Sequence, residues 1–386
     1  MIVYAVATLL ACFAAWMAGR DQTRRRIWIV ASALPLTLVA AARWGVGTDL
    51  DFTYLPTFTA VEWVRGGGGE ELAERLFRPL INGLVHRPLV NTPIEEAQHW
   101  FSICGTMEPG YRALQEAVVF FGGSFRWVIV VTSLLAGWLV FAAIWRQSRS
   151  PVLAVYFYVA TSNYFLSLNI VRQYLAIGFM LVALTYVLDR RPWRFLLIVA
   201  AGALFHRTVL LAVPCWFLAR INIRPAWAAL VVVAALAASF VAEPVLRFVL
   251  PHVGAGFYVR YFDSRYAKEG FEWIFFLLNI CFIVAGAWYY ERAQKGNPLF
   301  RCWYWMTVMG TVALSFSGTV PLMKRINFYF AAPQFLMLPE MLLAEENPRL
   351  RRWFTVFAVL AFAAETFVAV VLLNKNEPLP YRIVPD

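Results

Sequence analysis

Charge is scarce in this 386-residue chain: 15% of residues are charged, against 61% hydrophobic. A soluble domain carries about a quarter charged residues, so the composition excludes an ordinary soluble enzyme. So much apolar surface needs lipid as its solvent. Acid is scarcer than base, with 23 Asp+Glu against 34 Lys+Arg. No soluble basic domain exists to hold nucleic acid, which is therefore excluded as a partner. Loops anchored at a membrane surface and an anionic ligand account for the excess instead. The five cysteines, Cys12, Cys104, Cys215, Cys281 and Cys302, show no CxxC or Cys/His ligand spacing. They read as small hydrophobes, not as a metal set. No internal repeat stands out. Residues 1–17 lack a basic leading region, so no cleavable signal is expected.

What is present is one unit, repeated: apolar runs separated by short polar joins, at membrane-span spacing. The runs cover 2–18, 27–42, 127–145, 152–168, 170–188 and 195–205, then 208–219, 227–242, 273–290, 302–316, 326–343 and 354–373. The expectation is an all-α, polytopic helical membrane protein of about 12 transmembrane spans, a single integral membrane domain over 1–386. His206 interrupts 195–219, and two short segments meeting there are preferred to one long helix.

Arginine sets the orientation. Alternate joins hold Arg20 with Arg24 to Arg26, Arg146 and Arg149, Arg190, Arg191 and Arg194, and Arg220 and Arg224. The series continues with Arg292, Lys295 and Arg301, then Arg349, Arg351 and Arg352. Short positive joins face the cytoplasm, which puts both termini outside. Residues 43–126 then form a long outer loop between the second and third spans. Val61, Trp63 and Val64, then Leu72, Leu76 and Leu80, have the spacing of amphipathic helices around a break at 66–69. Glu108 and Pro109 open a further helix over 111–121, lying along the interface.

The outer-side cations need another explanation. Arg43 ends the second span, in Arg43-Trp44-Gly45-Val46-Gly47-Thr48-Asp49. Arg172 lies in the opening turn of the fifth span, beside Gln173 and Tyr174. His206 and Arg207 interrupt an apolar stretch, and Lys324, Arg325 and Asn327 open the eleventh span, with Tyr329 one turn on. Such charges cost a few kcal/mol unless they snorkel or pair. Arg172 and Arg325 also sit at helix N-termini, which already favour anions. A bound polyanion resolves this, and phosphate or diphosphate matches the guanidinium fork. Two residues compete as a base. His206 carries the side chain that titrates nearest neutral pH, though an apolar setting also suits a structural histidine. Asp49 follows a Gly-Val-Gly turn and could equally pair with Arg43 or cap a helix. Asp51 and Glu108 are weaker candidates. No outer cluster has metal-ligand spacing, so no metal and no cofactor are expected.

At these residues the chain resembles the EpsG family, Wzy-like exopolysaccharide polymerases. The matching pieces are Arg43 to Asp49 with Tyr54, then Glu108-Pro109-Gly110-Tyr111, and Asn169 to Tyr174 with Ala176 and Ile177. Phe205-His206, Lys324-Arg325 with Tyr329 and Phe330, and Pro380-Tyr381 complete the set. The resemblance implies an enzyme joining polyprenyl-diphosphate-linked oligosaccharide repeat units at the outer face of a bacterial cytoplasmic membrane. The product would be capsule, exopolysaccharide or O-antigen. A flippase and a chain-length regulator would be partners, alongside membrane lipids. It further implies a GT-C-like bundle, Arg172 and Arg325 on the donor diphosphate with Arg43 and Lys324 assisting, and Asp49 or His206 activating the acceptor hydroxyl. Gln173, Tyr174, Tyr54, Glu108, Asn327 and Tyr329 would support them. The chain lacks the Asp-rich outer motif of metal-dependent GT-C enzymes. Rival readings are a flippase or transporter of the same lipid-linked sugar, a ligase using the same donor, and a structural subunit. The flippase would show repeated halves and mid-span charges, of which Glu365 is an isolated example.

Overall fold

The computed structural model describes residues 1–47, 49–65, 107–220, 223–252, 256–263 and 270–383. Among the described residues all regular structure is helical, apart from one antiparallel bridge between Trp44 and Arg382. The order begins α1 (Ile2–Arg20), α2 (Arg25–Ala42), a π-turn (Leu50–Tyr54) and α3 (Leu55–Arg65). Next come α4 (Pro109–Phe120), α5 (Phe125–Gln147), α6 (Pro151–Ala160), α7 (Asn163–Asn169), α8 (Val171–Leu188) and α9 (Pro192–Ala203). A 3-10 turn (Arg207–Ala212) leads to α10 (Cys215–Leu218), α11 (Trp227–His252), α12 (Trp273–Gly296) and α13 (Phe300–Ser315). The chain closes with α14 (Met323–Ala331), α15 (Gln334–Leu343) and α16 (Pro348–Thr366).

The protein is a polytopic helical membrane protein, and twelve separate long spans are not shown. Among the described residues seven helices are long and apolar enough to cross a membrane: α1, α2, α5, α8, α11, α12 and α16 with its π-helical end. The number is eight if the pair α6 and α7, bent by 54°, is one span. The other four expected spans are broken or shorter than that length, for local reasons. The run over 195–219 breaks at His206 as expected, leaving α9 and a 3-10 segment. Pro333 cannot supply a helical N–H, and α14 ends just before it. α13 has only 16 residues. Expected helical spacing over 72–80, the break at 66–69 and Cys104 all lie outside the described residues, as does Thr48.

Burial grades from centre to rim. α8 and α13 are the central helices, with Leu175, Leu181, Trp303 and Met306 all fully enclosed. Phe240, Phe248, Trp288, Trp353 and Phe357 project from the rim, each more than two-thirds exposed. An exposed apolar belt of this kind is stable against lipid and would aggregate in water.

The two sets of cations lie at opposite ends of the bundle. At one end Arg149 pairs with the buried Glu340 at 2.5 Å, and Asn297 Nδ2 donates to the Gln147 carbonyl at 2.6 Å. The other end gathers both termini. Tyr4 Oη donates to the Pro378 carbonyl at 2.9 Å, Trp44 N to Arg382 O at 2.8 Å, and Tyr381 Oη to Val39 O at 2.9 Å. Gly47 N reaches Glu377 O at 3.3 Å in the same clasp. Arg43, Asn169, Arg172, His206 and Lys324 all belong to this second end.

Candidate functional site

Two glycines bring the second end together. Gly110, in the first turn of α4, donates its N–H to Leu204 O at 2.8 Å. A Cβ there would meet that oxygen and the Leu204 side chain at 2.8 Å, so only glycine lets α4 start against the end of α9. Pro109 is favoured at the first helical position because its missing N–H has no partner to lose. Glu108, the N-cap, is thereby delivered to His206. Gly47 has φ +93° and lies so close to Leu168 and Asn169 that a Cβ would sit 2.9 Å from their backbone. Beside it Asp49 N donates to Asn169 Oδ1 at 3.0 Å, which seats the Asp49 turn on the end of α7.

Glu108 is the hub. Its Oε2 accepts from Arg172 Nη1 at 2.7 Å, its Oε1 lies 2.7 Å from His206 Nδ1, and the Arg207 N–H reaches Oε1 at 3.3 Å. The carboxylate side chain is 8% exposed, those of Arg172 and His206 21% each. Burial pushes the Glu108 carboxyl up, but the His206 hydrogen bond and the charges of Arg172 and His206 outweigh it and bring it down to about 2. An ionised carboxylate can only accept, so Nδ1 carries the shared proton. In the neutral ring Nε2 is then the atom with a free lone pair.

Aromatic walls flank this trio. The Arg172 guanidinium lies 5.8 Å from the Tyr54 ring centre, and its backbone N–H donates to Tyr54 Oη at 3.3 Å. Burial, then the nearby Asp49 charge, push the Tyr54 phenol up to about 12, so it stays a neutral hydroxyl. Tyr329 lies nearly parallel to the His206 ring at 6.5 Å, its Oη fixed by Thr208 Oγ1 at 3.0 Å. Gln173 Nε2 donates to Arg325 O at 2.6 Å, which ties α8 to α14. The Arg325 and Arg207 side chains are exposed and have no ion-pair partner among the described residues.

Other expected site residues lie elsewhere. Arg43 is 2% exposed and donates to Ala40 O at 2.5 Å, Ser133 Oγ at 2.8 Å and Leu168 O at 3.4 Å. Those carbonyls belong to the C-terminal ends of α2 and α7, where the helix dipole favours a cation. Lys324 turns to Glu272 at 2.8 Å, a partner not foreseen in the sequence. Tyr174 donates to Asn163 Oδ1 at 3.3 Å, and Asn327 Oδ1 accepts from Asn279 at 2.9 Å, so both face away from Glu108. The bridging role of Glu108 was missed, although the Glu-Pro-Gly string marks a helix start and so a fixed carboxylate. Among the described residues no group of three or more His, Cys, Asp or Glu stands together.

No curated protein and no solved structure matches the chain. The EpsG family model, by contrast, matches residues 26–383, nearly the whole length and every residue described at the site, and the chain belongs to the EpsG family.

Proposed function

We propose that the chain polymerises oligosaccharide repeat units carried on polyprenyl diphosphate, at the outer face of the bacterial cytoplasmic membrane. Family membership supports an exopolysaccharide-related polymerase. The observation that carries the chemistry is one carboxylate shared between a guanidinium and an imidazole at 2.7 Å each. His206 Nε2 takes the proton of the acceptor hydroxyl, and the ionised Glu108 stabilises the imidazolium that results. The acceptor oxygen bonds to the donor's anomeric carbon as the bond from that carbon to the phosphate oxygen breaks. The leaving group is polyprenyl diphosphate. Glu108 offsets much of the Arg172 charge, so Arg325 and Arg207 supply the net positive field for the diphosphate, with Arg172 as a fixed hydrogen-bond donor. Arg43 acts behind the site, holding the ends of α2 and α7, and Lys324 assists through α14. His206 is the stronger base, because Glu108 holds its Nδ1 and leaves Nε2 as the lone-pair atom, and Asp49 is the weaker one.

In this reading the clasp end faces outward and both termini lie there. The apolar rim holds the polyprenyl chain in lipid, and the bundle with its site at one end has a GT-C-like plan. The supply of donor by a flippase and the control of length by a regulator follow from the same substrate. The test is elongation of a lipid-linked repeat unit by purified protein, beside His206→Gln and Arg325→Ala. Wild type should build a ladder and His206→Gln should not. Arg325→Ala should need much more donor. Movement of donor across proteoliposomes without a new glycosidic bond would replace this reading with the flippase. Transfer of a finished glycan without a ladder would replace it with the ligase.

A further inference from the structure

A second polar recess lies on the far side of α14 from Glu108. Lys324, Asn327, Phe328 and Ala331, at helical spacing, line it, whereas Tyr329 of the same helix faces His206. The recess encloses about 360 Å³, within the range of about 300–1,000 Å³ usual for small-ligand sites. Its walls are largely apolar, with five carboxamides set among them. Gln334 Nε2 donates to Asn279 Oδ1 at 2.8 Å and Asn279 Nδ2 to Asn327 Oδ1 at 2.9 Å, a buried chain of three amides. Asn163 and Asn376 also line it, their side-chain oxygens accepting from Tyr174 and Asn169. Each amide has two donor hydrogens and an acceptor oxygen with two lone pairs, so the two bonds leave hydrogen-bonding capacity at both ends of the chain. Ser162, also in the wall, turns its buried hydroxyl towards the Glu365 carboxyl.

The remaining wall is aromatic and cationic. Phe275 carries Lys324 Nζ at 5.1 Å and Lys375 Nζ at 5.7 Å from its ring centre. Glu272 pairs with Lys324, and the Lys375 charge acts on the Glu365 carboxyl without reaching ion-pair distance. Amides with remaining hydrogen-bonding capacity, an aromatic ring and an ammonium group suit a ligand rich in hydroxyl groups with apolar C–H faces. A diphosphate, which only accepts hydrogen bonds at neutral pH, suits them less, because it offers no donor to the Gln334 amide oxygen at the end of the chain.

We propose that this recess binds a sugar residue of the glycan, separately from the diphosphate, and that α14 is the shared wall coupling the two. The assignment rests on the polymerase reading for the identity of the ligand. The amides read the hydroxyl pattern, Phe275 takes a C–H face, and Lys375 donates to a ring oxygen substituent.

The test uses oligosaccharides released by mild acid from the source cell's own extracellular polysaccharide, free of lipid and phosphate. Their binding to full-length protein in detergent is measured by calorimetry for wild type, Lys375→Ala, Gln334→Leu and Arg172→Ala. Loss of one charged or amide contact should weaken binding about tenfold in Lys375→Ala and Gln334→Leu. Arg172→Ala should bind the glycan as wild type does. Lys375 lies outside the apolar spans, so its variant reports even if Gln334→Leu fails to fold. Unchanged affinity in Lys375→Ala, or equal loss in Arg172→Ala, overturns the assignment. A wild type that elongates lipid-linked units but does not bind the free oligosaccharide overturns the recess alone. A wild type that binds it but never elongates overturns the polymerase reading alone.

Discussion

Replacing Glu108 by glutamine removes one charge and almost no volume, which isolates what the carboxylate does. Its fall from 4.5 to about 2 amounts to about 3 kcal/mol of preference for the ionised form in the folded protein. Because folding lowers this value, the stabilisation is complete above pH 4.5 and is lost as pH falls towards 2. Glu108→Gln should therefore lose about 3 kcal/mol at neutral pH. Between pH 5 and pH 3 wild type should lose about 2 kcal/mol of its advantage over the variant. The same change leaves Arg172 without its carboxylate and deprives the His206 imidazolium of its counter-charge. Proton-transfer catalysis is worth about 10²–10⁴-fold, so turnover in an elongation assay should fall by about a hundredfold or more. The apparent donor affinity should hold or tighten, since a guanidinium is released for the diphosphate. Turnover within about threefold of wild type, in protein shown to be folded, would refute the Glu108–His206 relay.

Three further outcomes follow from the geometry. Arg43→Ala should lower the thermal midpoint by the equivalent of about 2–4 kcal/mol, through a buried void and unpaired carbonyls, while inorganic diphosphate binding stays as in wild type. Weaker diphosphate binding at unchanged stability would return Arg43 to the substrate. Gly47→Ala should destabilise by about 1–3 kcal/mol, because φ +93° and the 2.9 Å approach to Leu168 and Asn169 both oppose a Cβ; a neutral result would mean the turn can shift. Asp49→Asn should keep most of its turnover where His206→Gln keeps little, and the reverse order would exchange the two as the base.

The long helices were legible because hydropathy is local: α1, α2, α5, α8, α11, α12 and α16 each declare themselves within a single apolar run. The interruption at His206 was legible for the same reason, since two polar residues stand in an apolar stretch. Breaks inside apolar runs were harder. α6 and α7 part at Thr161 and Ser162, and α14 and α15 at Pro333, positions marked by uncharged polar residues or a proline and by no charge. The cations of the site were found one by one, but not which of them keeps its charge free. Glu108 meets Arg172 across 64 residues and His206 across 98, and no local pattern encodes such a meeting. Arg43 shows the cost of that blindness. Read alone it is an unpaired charge at a helix end, yet Ser133 and Leu168 arrive from distant segments to accept from its two Nη groups, while its buried Nε has no partner among the described residues.

The clasp between the chain's two ends also sets an order of events. Tyr4 is bonded to Pro378 across 374 residues, and Tyr381 to Val39 across 342. Gly47, at the root of the Asp49 turn, leans on Glu377. During synthesis the first helices must therefore wait in the bilayer, with their end of the site unfinished, until residues 376–382 emerge and close it. Contacts so distant in sequence form late and slowly. A nascent or truncated chain that stops before residue 376 would lack the strut beneath the Asp49 turn, so the site would be set only once that strut is in place.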